Sequence, residues 1–272
     1  ELVEAAGVEL TLIDDGDPGG GLCILRGCMP SKEVLSAAAH RYQARHDPRL
    51  RGTLPDVDLD ALYETKERHV QDFAAHRRAA VHGLAEHDDV EFLSEPARLV
   101  GPHQVAVGNR TLDADYVVIA TGSVPRIPSL PGIETVDPWT SADVLDATAL
   151  PDSGIVMGFG YIGLELVPYL SEAGGMDLTV VEHDARPLDE ADPAFGSELL
   201  ELYREDFDIE ILTETAEQSV EETASGGVRL RTDRDDHRAT VEADALFAFT
   251  GRRPNLDGLG LDTAGLEPGP GW

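Results

Sequence analysis

A glycine motif between two apolar segments constrains the fold of this 272-residue chain more than any other feature. Residues 155–157 are typical of the end of a strand, and a G-x-G-x-x-G motif that starts at Gly158 leads into a helical segment. Residues 178–181 then form a second strand, which ends at Glu182. A strand, a glycine turn, a helix and a second strand with a terminal acid are the arrangement of a dinucleotide site. The pattern therefore predicts an α/β domain that binds a dinucleotide.

Each residue of this motif has its own task in such a site. Gly158 permits the tight turn, Gly160 lets the backbone approach a pyrophosphate, and Gly163 lets the helix pack against the strand. The helix N-terminus then holds the phosphates. Glu182 would bind a free ribose 2′-hydroxyl and repel a 2′-phosphate, which favours NAD over NADP; a solvated acid at a strand end is the alternative. Pro168, in the third turn of the helix, predicts a kink or a shift of the helix.

The start of the chain resembles the same unit without its first half. Residues 1–6 are typical of the end of a helix, Gly7 would stop it, and residues 8–13 form a strand that ends at Asp14. Asp14 has the position that Glu182 has in the complete unit. The first strand and glycine turn of this copy would precede residue 1, so we expect a truncated unit that lacks its phosphate-binding half.

The only cysteines, Cys23 and Cys28, lie in the glycine-rich segment GGGLCILRGCMPSK. Three structural alternatives exist. A structural disulfide would constrain the unfolded chain by only about 2 kcal/mol because the loop is short, and a zinc site needs about four ligands. The third alternative is that the two thiols have no function. A pair of thiols that closes and opens a disulfide is the hypothesis we favour. Pro30 fits the first position of a helix, so Cys28 would lie at the helix N-terminus, whose positive end favours a thiolate. Lys32, about one turn into the helix, indicates a task for a compact ammonium group; the alternative is that one of the two lysines of the chain stands here by chance.

The charge balance limits the partners of the chain. Its 21 Lys and Arg against 52 Asp and Glu give a net charge of −31, so nucleic acid and anionic membrane surfaces would be repelled. Only Lys32 and Lys66 are lysines, and a lysine-poor, acid-rich surface predicts a halophile-type protein. There is no apolar run of roughly 18 residues and no segment that resembles a signal peptide, which predicts a cytoplasmic location.

The remaining segments are predicted from their periodicity. Residues 58–86 have helical periodicity, and residues 90–118 alternate in short runs broken by glycines, as in a β-meander. Residues 117–123 predict a buried strand followed by a tight turn, and residues 125–132 predict a linker. Residues 246–255 predict another buried strand that ends in a glycine turn.

Four of these segments together resemble the pyridine nucleotide–disulfide oxidoreductases, the flavoprotein family of dihydrolipoamide dehydrogenase, glutathione reductase and mercuric reductase. GGLCILRGCMPSK is similar to the redox-active disulfide motif, VVIATGSVPRIPSLPG to the strand that closes the FAD fold, GFGYIGLE to the NAD motif, and GRRPNLDGLGL to the return to the FAD domain. The resemblance implies an α/β fold of two nested, doubly wound, Rossmann-like dinucleotide-binding domains with a β-meander insertion and an incomplete FAD domain. It implies a partial FAD domain at residues 1–133, an NAD domain at 134–254 and a return to the FAD domain at 255–272.

The resemblance also implies roles for individual residues. Cys23 would be the interchange thiol that attacks a substrate disulfide, Cys28 would lie against the flavin, and Lys32 would pair with Glu165 near the flavin; these four form the implied catalytic set. The implied cofactor-binding residues for FAD and NAD are Asp14, Gly20, Gly21, Lys32, Thr121, Gly122, Ser123, Gly158, Gly160, Tyr161, Ile162, Gly163, Glu182 and Gly251. No metal ligand is implied.

The implied reaction passes hydride between NAD and FAD and electrons between FAD and the dithiol, with a small-molecule or lipoyl-domain disulfide as substrate. The MPSK ending and the NAD preference favour dihydrolipoamide:NAD oxidoreduction; mercuric reductase or another NAD(P)H-disulfide reductase is the alternative, and a non-catalytic NAD-binding fragment is the alternative of another class. Leu22 and Leu25 depart from the family, which usually has threonine and asparagine there. The sequence ends at Trp272, before the family's second FAD motif and the dimerisation domain that supplies an acid–base histidine–glutamate pair, so a homodimer is expected of a longer parent.

Overall fold

The structure is a computed structural model that describes residues 7–54 and 56–269. The helix predicted for residues 1–6 lies outside the described residues. The strands, in chain order, are β1 (Leu10–Ile13), β2 (Val90–Leu93), β3 (Ala97–Gly101), β4 (Gln104–Val107), β5 (Arg110–Asp113), β6 (Ser123–Pro125), β7 (Ser153–Met157), β8 (Asp177–Val181), β9 (Glu210–Leu212), β10 (Ala216–Glu222), β11 (Val228–Arg234), β12 (His237–Ala243), β13 (Ala245–Ala248) and β14 (Arg252–Pro254).

The helices alternate with these strands, as in an α/β protein. They are α1 (Gly21–Leu25), α2 (Cys28–His46), α3 (Leu59–Leu84), α4 (Ser141–Asp146), α5 (Tyr161–Pro168), a π-helical turn (Tyr169–Ala173) and α6 (Pro193–Asp206), with 3₁₀ turns at Ile133–Thr135 and Leu261–Ala264. The predicted helix at 58–86 and the predicted strand–turn–helix–strand unit at 155–182 are confirmed.

The chain divides into two compact units. Of the described residues, 7–25, 69–124 and 253–269 form the first unit, and 26–54, 56–68 and 125–252 form the second. This division by compactness differs from the predicted ranges, because residues 26–68 fall with the nucleotide motif. The assignment of FAD and NAD to parts of the chain stays a prediction.

The second unit is built on a four-stranded parallel sheet with the order β13-β7-β8-β9. Parallel strands covered on both faces are apolar throughout, and Ile155, Val156 and Met157 of β7 are fully buried. Val156 and Phe247 pack with the helices on one face. Ile155 and Met157 pack on the other face with residues of the antiparallel sheet β10-β11-β12. The two faces of one buried strand thus belong to different cores.

The first unit contains a parallel pair, β1 and β2, and an antiparallel meander, β3-β4-β5. The predicted meander is confirmed for β3 to β5, but residues 90–93 are not part of it, because Leu10 of β1 aligns with Val90 of β2. Leu99, Val107 and Leu261 form the centre of this unit's small core.

The prediction of a buried strand at residues 117–123 is wrong. Residues 117–122 form no strand, and only residues 123–125 pair, as β6 with β14. The side chains of Tyr116 and Val118 are 91% and 86% exposed. An apolar run becomes a buried strand only where neighbouring strands accept its backbone hydrogen bonds, and among the described residues none pairs with this run.

Pro168 changes the helix as predicted. α5 ends at Pro168 and continues as the π-helical turn, Tyr169–Ala173. Proline has no N–H, so the Leu164 carbonyl loses the donor that an α-helix would supply from position 168. The Tyr203 hydroxyl of α6 replaces that donor, with 2.5 Å between Tyr203 Oη and Leu164 O.

Pro30 lies two residues later in its helix than predicted, because α2 begins at Cys28. A proline is accepted there because the first N–H groups of a helix have no partner within the helix. Cys28 is therefore in the first turn itself.

Candidate nucleotide and redox sites

A cleft of about 830 Å³ opens in the second unit at the carboxyl ends of β7, β8 and β13. β7 has β8, the next strand of the chain, on one side and β13, the last strand of this sheet in chain order, on the other, so the strand order reverses at β7. Open α/β sheets bind their ligands where the strand order reverses. The residues that line the cleft include, of the predicted cofactor-binding set, Gly158, Gly160, Tyr161, Ile162, Glu182 and Gly251.

The three motif glycines have the local geometries that their predicted tasks require. Gly158 has a φ of +91°, and a Cβ added there would lie 2.8 Å from the Phe249 carbonyl oxygen. A Cβ on Gly163 would lie 2.6 Å from the Gly158 carbonyl oxygen, so this glycine allows the helix to approach the turn. A Cβ on Gly160 would meet no atom within 4 Å. Gly160 precedes the first residue of α5, so its open side is where an anion would approach the helix N-terminus.

Glu182 follows β8 and is held by the turn that it faces. Its Oε2 accepts a hydrogen bond of 2.6 Å from the Phe159 N–H, and its Oε1 accepts one of 3.0 Å from the Asp184 N–H. The residue is buried, and both of its carboxylate oxygens have a hydrogen-bond partner in the backbone. Each carboxylate oxygen has a second lone pair, which leaves acceptor capacity for a hydroxyl in the cleft.

The sequence prediction missed four charged residues of the same cleft: Arg126, His183, Glu217 and Arg252. The His183 imidazole Nε2 contacts the Glu217 carboxylate. Partial burial lowers the pKa of His183, but the Glu217 carboxylate, together with the charges of Glu182 and Asp184, outweighs this and holds the pKa above its usual value. Burial lowers the pKa of Arg252. The position of His183 directly after Glu182 could have drawn attention to it; nothing in the sequence marks Glu217.

The two cysteines belong to different compact units. Cys23 is in α1 in the first unit, and Cys28 is the first residue of α2 in the second unit. Both side chains are exposed. The predicted position of Cys28 at a helix N-terminus is thus confirmed, and the redox role of the pair stays a prediction.

Lys32 and Glu165 form the ion pair that the resemblance implied. The Lys32 Nζ lies 2.8 Å from Glu165 Oε1, between α2 and α5, although the residues are 133 positions apart. A second contact fixes the two helices together: Glu172 of the π-helical turn, buried, lies 2.5 Å from Arg45 Nη1 and 3.5 Å from Arg41 Nε. A buried carboxylate must be paired, so this cluster holds α2 beside α5.

The other predicted FAD residues lie in the first unit. Asp14 follows β1, and its Oδ1 accepts a hydrogen bond of 2.9 Å from the Gly16 N–H. Thr121 Oγ1 donates to the Asn255 carbonyl at 2.6 Å, and the Asn255 N–H donates to the Gly122 carbonyl at 3.0 Å. Ser123 begins β6. The segment 121–123 is therefore tied to the GRRPN segment, as two parts of one loop region.

Gly20 and Gly21, also predicted to bind a cofactor, have φ values of +126° and +57°. Both lie in the left-handed region that favours glycine. Among the described residues, no group of three His, Cys, Asp or Glu side chains could hold a metal ion. No helix in the described part of the chain is long and apolar enough to cross a membrane.

The parallel sheet, the glycine turn and the acid at the end of β8 define an α/β protein of the dinucleotide-binding class. Within that class, the family model described as pyridine nucleotide-disulphide oxidoreductase matches residues 1–271. The chain belongs to this family, whose members are FAD-dependent and use NAD(P)H.

Curated relatives of two activities are similar to the chain. A mercuric reductase of Lysinibacillus sphaericus is 31% identical, over 97% of this chain and 47% of its own length. A dihydrolipoyl dehydrogenase of Halobacterium salinarum is 29% identical, over 96% of this chain and 56% of its own length. The chain thus spans about half the length of the curated relatives it matches.

A solved structure shows the same fold. The copper(II) complex of RclA, an HOCl-induced flavoprotein disulfide reductase of Escherichia coli, matches with a TM-score of 0.81 and 22% identity, over 99% of this chain and 57% of that one. The predicted fold class is confirmed.

Proposed function

We propose that this chain is part of an NAD- and FAD-dependent disulfide oxidoreductase of the dihydrolipoamide dehydrogenase type. One arrangement in the second unit carries the proposal. α2 has Cys28 in its first turn and Lys32 one turn later, and Lys32 contacts Glu165 of α5, the helix that begins at the nucleotide cleft. The helix that begins with Cys28, α2, and the helix at the proposed nucleotide site, α5, are therefore connected by this ion pair.

The cleft suits a dinucleotide such as NAD. The open side of Gly160 and the N-terminus of α5 would bind the pyrophosphate, and the Glu182 carboxylate would accept a hydrogen bond from a ribose hydroxyl. In the first unit, Asp14 and the segment 121–123 would contact FAD. When bound, the two cofactors supply hydride and electron transfer.

The chemistry that this chain's own residues perform is thiol–disulfide exchange. The Cys23 thiolate would attack a substrate disulfide, form a mixed disulfide and release one thiolate, which takes up a proton. The Cys28 thiolate would then attack the Cys23 sulfur, which forms the Cys23–Cys28 disulfide and releases the second substrate thiol. Two electrons pass from the dithiol to the substrate.

Lipoamide and its reduced form, dihydrolipoamide, are the substrate pair we favour, because the MPSK ending resembles dihydrolipoamide dehydrogenases and because Glu182 favours NAD. With dihydrolipoamide as substrate, the same exchange steps would run in reverse and reduce the Cys23–Cys28 disulfide. A mercuric reductase is the second candidate, since relatives of that name are as similar to the chain. A lipoyl-domain disulfide, a homodimeric parent and a cytoplasmic location belong to the same proposal.

Nucleotide binding is tested by NADH fluorescence titration of the purified chain. Gly160→Ala should weaken NADH binding by about tenfold, because its Cβ would fill the side from which the pyrophosphate approaches the backbone. Gly83→Ala is the matched control: it also places a Cβ in open space, but in α3, outside the cleft. Equal affinities for both variants would contradict the proposed site.

The redox site is tested in molar potassium chloride with FAD supplied. On reduction with NADH, the flavin spectrum should gain a long-wavelength thiolate band, and Cys28→Ser should lack this band. A chain that binds NADH but retains no flavin would instead be the non-catalytic NAD-binding fragment.

A further inference from the structure

The backbone of Glu182 and Asp184 is hydrogen-bonded to the end of β9 and to the segment between β9 and β10. The Glu182 N–H donates to the Leu212 carbonyl at 2.9 Å, and the Thr215 N–H donates to the Glu182 carbonyl at 3.0 Å. The Glu214 N–H donates to the Asp184 carbonyl at 3.1 Å. The backbone around the ribose-binding acid is therefore fixed on both sides by one segment, which leads directly into Glu217 of β10.

Glu217 presents a second carboxylate to the cleft beside Glu182. Its side chain is only 9% exposed and contacts His183, whose side chain is 63% exposed. Both residues line the cleft, together with Arg126 and Arg252. The cleft thus contains basic side chains that would attract a phosphate, and one of them, His183, is in contact with Glu217.

We propose that Glu217 is a second determinant of the choice between NAD and NADP. Glu217 would exclude a ribose 2′-phosphate both by its own negative charge and by its contact with His183. The inference rests on the proposed function, that this cleft binds a nicotinamide dinucleotide. It goes beyond the role predicted for Glu182, because Glu217 lies 35 positions later, on a strand of the antiparallel sheet.

Two physical effects of Glu217 would both lower the affinity of the cleft for a nucleotide with a 2′-phosphate. A carboxylate near the ribose would repel a 2′-phosphate, since like charges placed close together are destabilising. An imidazolium that donates to Glu217 has its Nε2 hydrogen occupied, so that nitrogen cannot donate to a phosphate. Loss of the Glu217 charge removes the repulsion and releases the His183 donor.

The test compares NADH and NADPH binding by fluorescence titration of the wild-type chain and of Glu217→Gln, with circular dichroism as the check of folding. Glu217→Gln should raise the affinity for NADPH relative to NADH by about tenfold. Glu217→Ala, which also removes the hydrogen-bonding group, is the second variant if the glutamine does not fold.

Glu222→Gln is the matched control, because it removes the same charge from an exposed position of the same strand. The double variant His183→Asn/Glu217→Gln should lose part of the NADPH gain. If NADH binds but the NADPH-to-NADH ratio is unchanged in Glu217→Gln, or rises equally in Glu222→Gln, the inference is wrong. If the wild-type chain binds neither nucleotide, the proposed function fails as well.

Discussion

The hydrogen bond between Tyr203 and the Leu164 carbonyl allows a quantitative test of how the chain accommodates Pro168. Tyr203→Phe removes only the hydroxyl and leaves the packing of the ring, which is 8% exposed. Because position 168 has no N–H, the Leu164 carbonyl then has neither its helical donor nor the tyrosine.

The expected cost follows from that missing partner. A buried carbonyl that is left without a hydrogen bond costs about 1–3 kcal/mol. The bond between Tyr203 and Leu164 is partly buried, so Tyr203→Phe should lower the free energy of unfolding by about 1 kcal/mol, the lower end of that range. Pro168→Ala restores an N–H four residues after Leu164. In the Pro168→Ala background, the cost of Tyr203→Phe should therefore fall by about 1 kcal/mol.

The assay is urea unfolding of the four proteins of this cycle, followed by far-ultraviolet circular dichroism. Tyr116→Phe is the control, because the Tyr116 side chain is 91% exposed and its hydroxyl stays in water. The reasoning is refuted if Tyr203→Phe costs no more than Tyr116→Phe, or if its cost is the same with proline and with alanine at position 168.

Three further outcomes are expected. Burial raises the pKa of Tyr203 to about 12 and also raises the pKa of Tyr169. The stability that these neutral hydroxyls contribute is therefore complete below pH 10 and is lost as the pH rises towards 12. Urea unfolding midpoints at pH 9, 10.5 and 11.5 measure this loss. Lys32→Ala should change the free energy of unfolding by less than about 1 kcal/mol, because the pair with Glu165 is exposed, while the thiolate band of the flavin-loaded chain should weaken. The net charge of −31 should make the thermal midpoint rise from low to molar potassium chloride, and a flat profile would contradict the halophile hypothesis.

Much of the strand–turn–helix–strand segment at 155–182 could be predicted because its signals are local. The turn at Gly158, the helix that follows Gly160 and the acid at position 182 are all specified within one short stretch, where backbone conformation and helix N-terminus follow from the glycines. The long helix at 59–84 was predictable for a similar reason, since its periodicity is a property of consecutive residues.

Residues far apart in the chain could not be paired from their spacing. The contact between Lys32 and Glu165 was expected only through the family resemblance, because nothing local relates positions 133 residues apart. The apolar run at 117–122 shows that a local pattern can also predict a structure that the chain does not form. Its composition favours a buried strand, but burial depends on strands elsewhere in the chain, and the run is exposed.

The sequence by itself determined the class of this protein, its α/β fold, the glycine turn and the identity of the acid that follows β8, because each depends on the order of neighbouring residues. Only the tertiary structure decided which distant side chains complete the sites. It brought Glu217 to His183 in the cleft and the Tyr203 hydroxyl to the Leu164 carbonyl. The physical reason is that these partners meet through the packing of separate strands and helices, and the energy of such a contact leaves no periodic trace in the sequence.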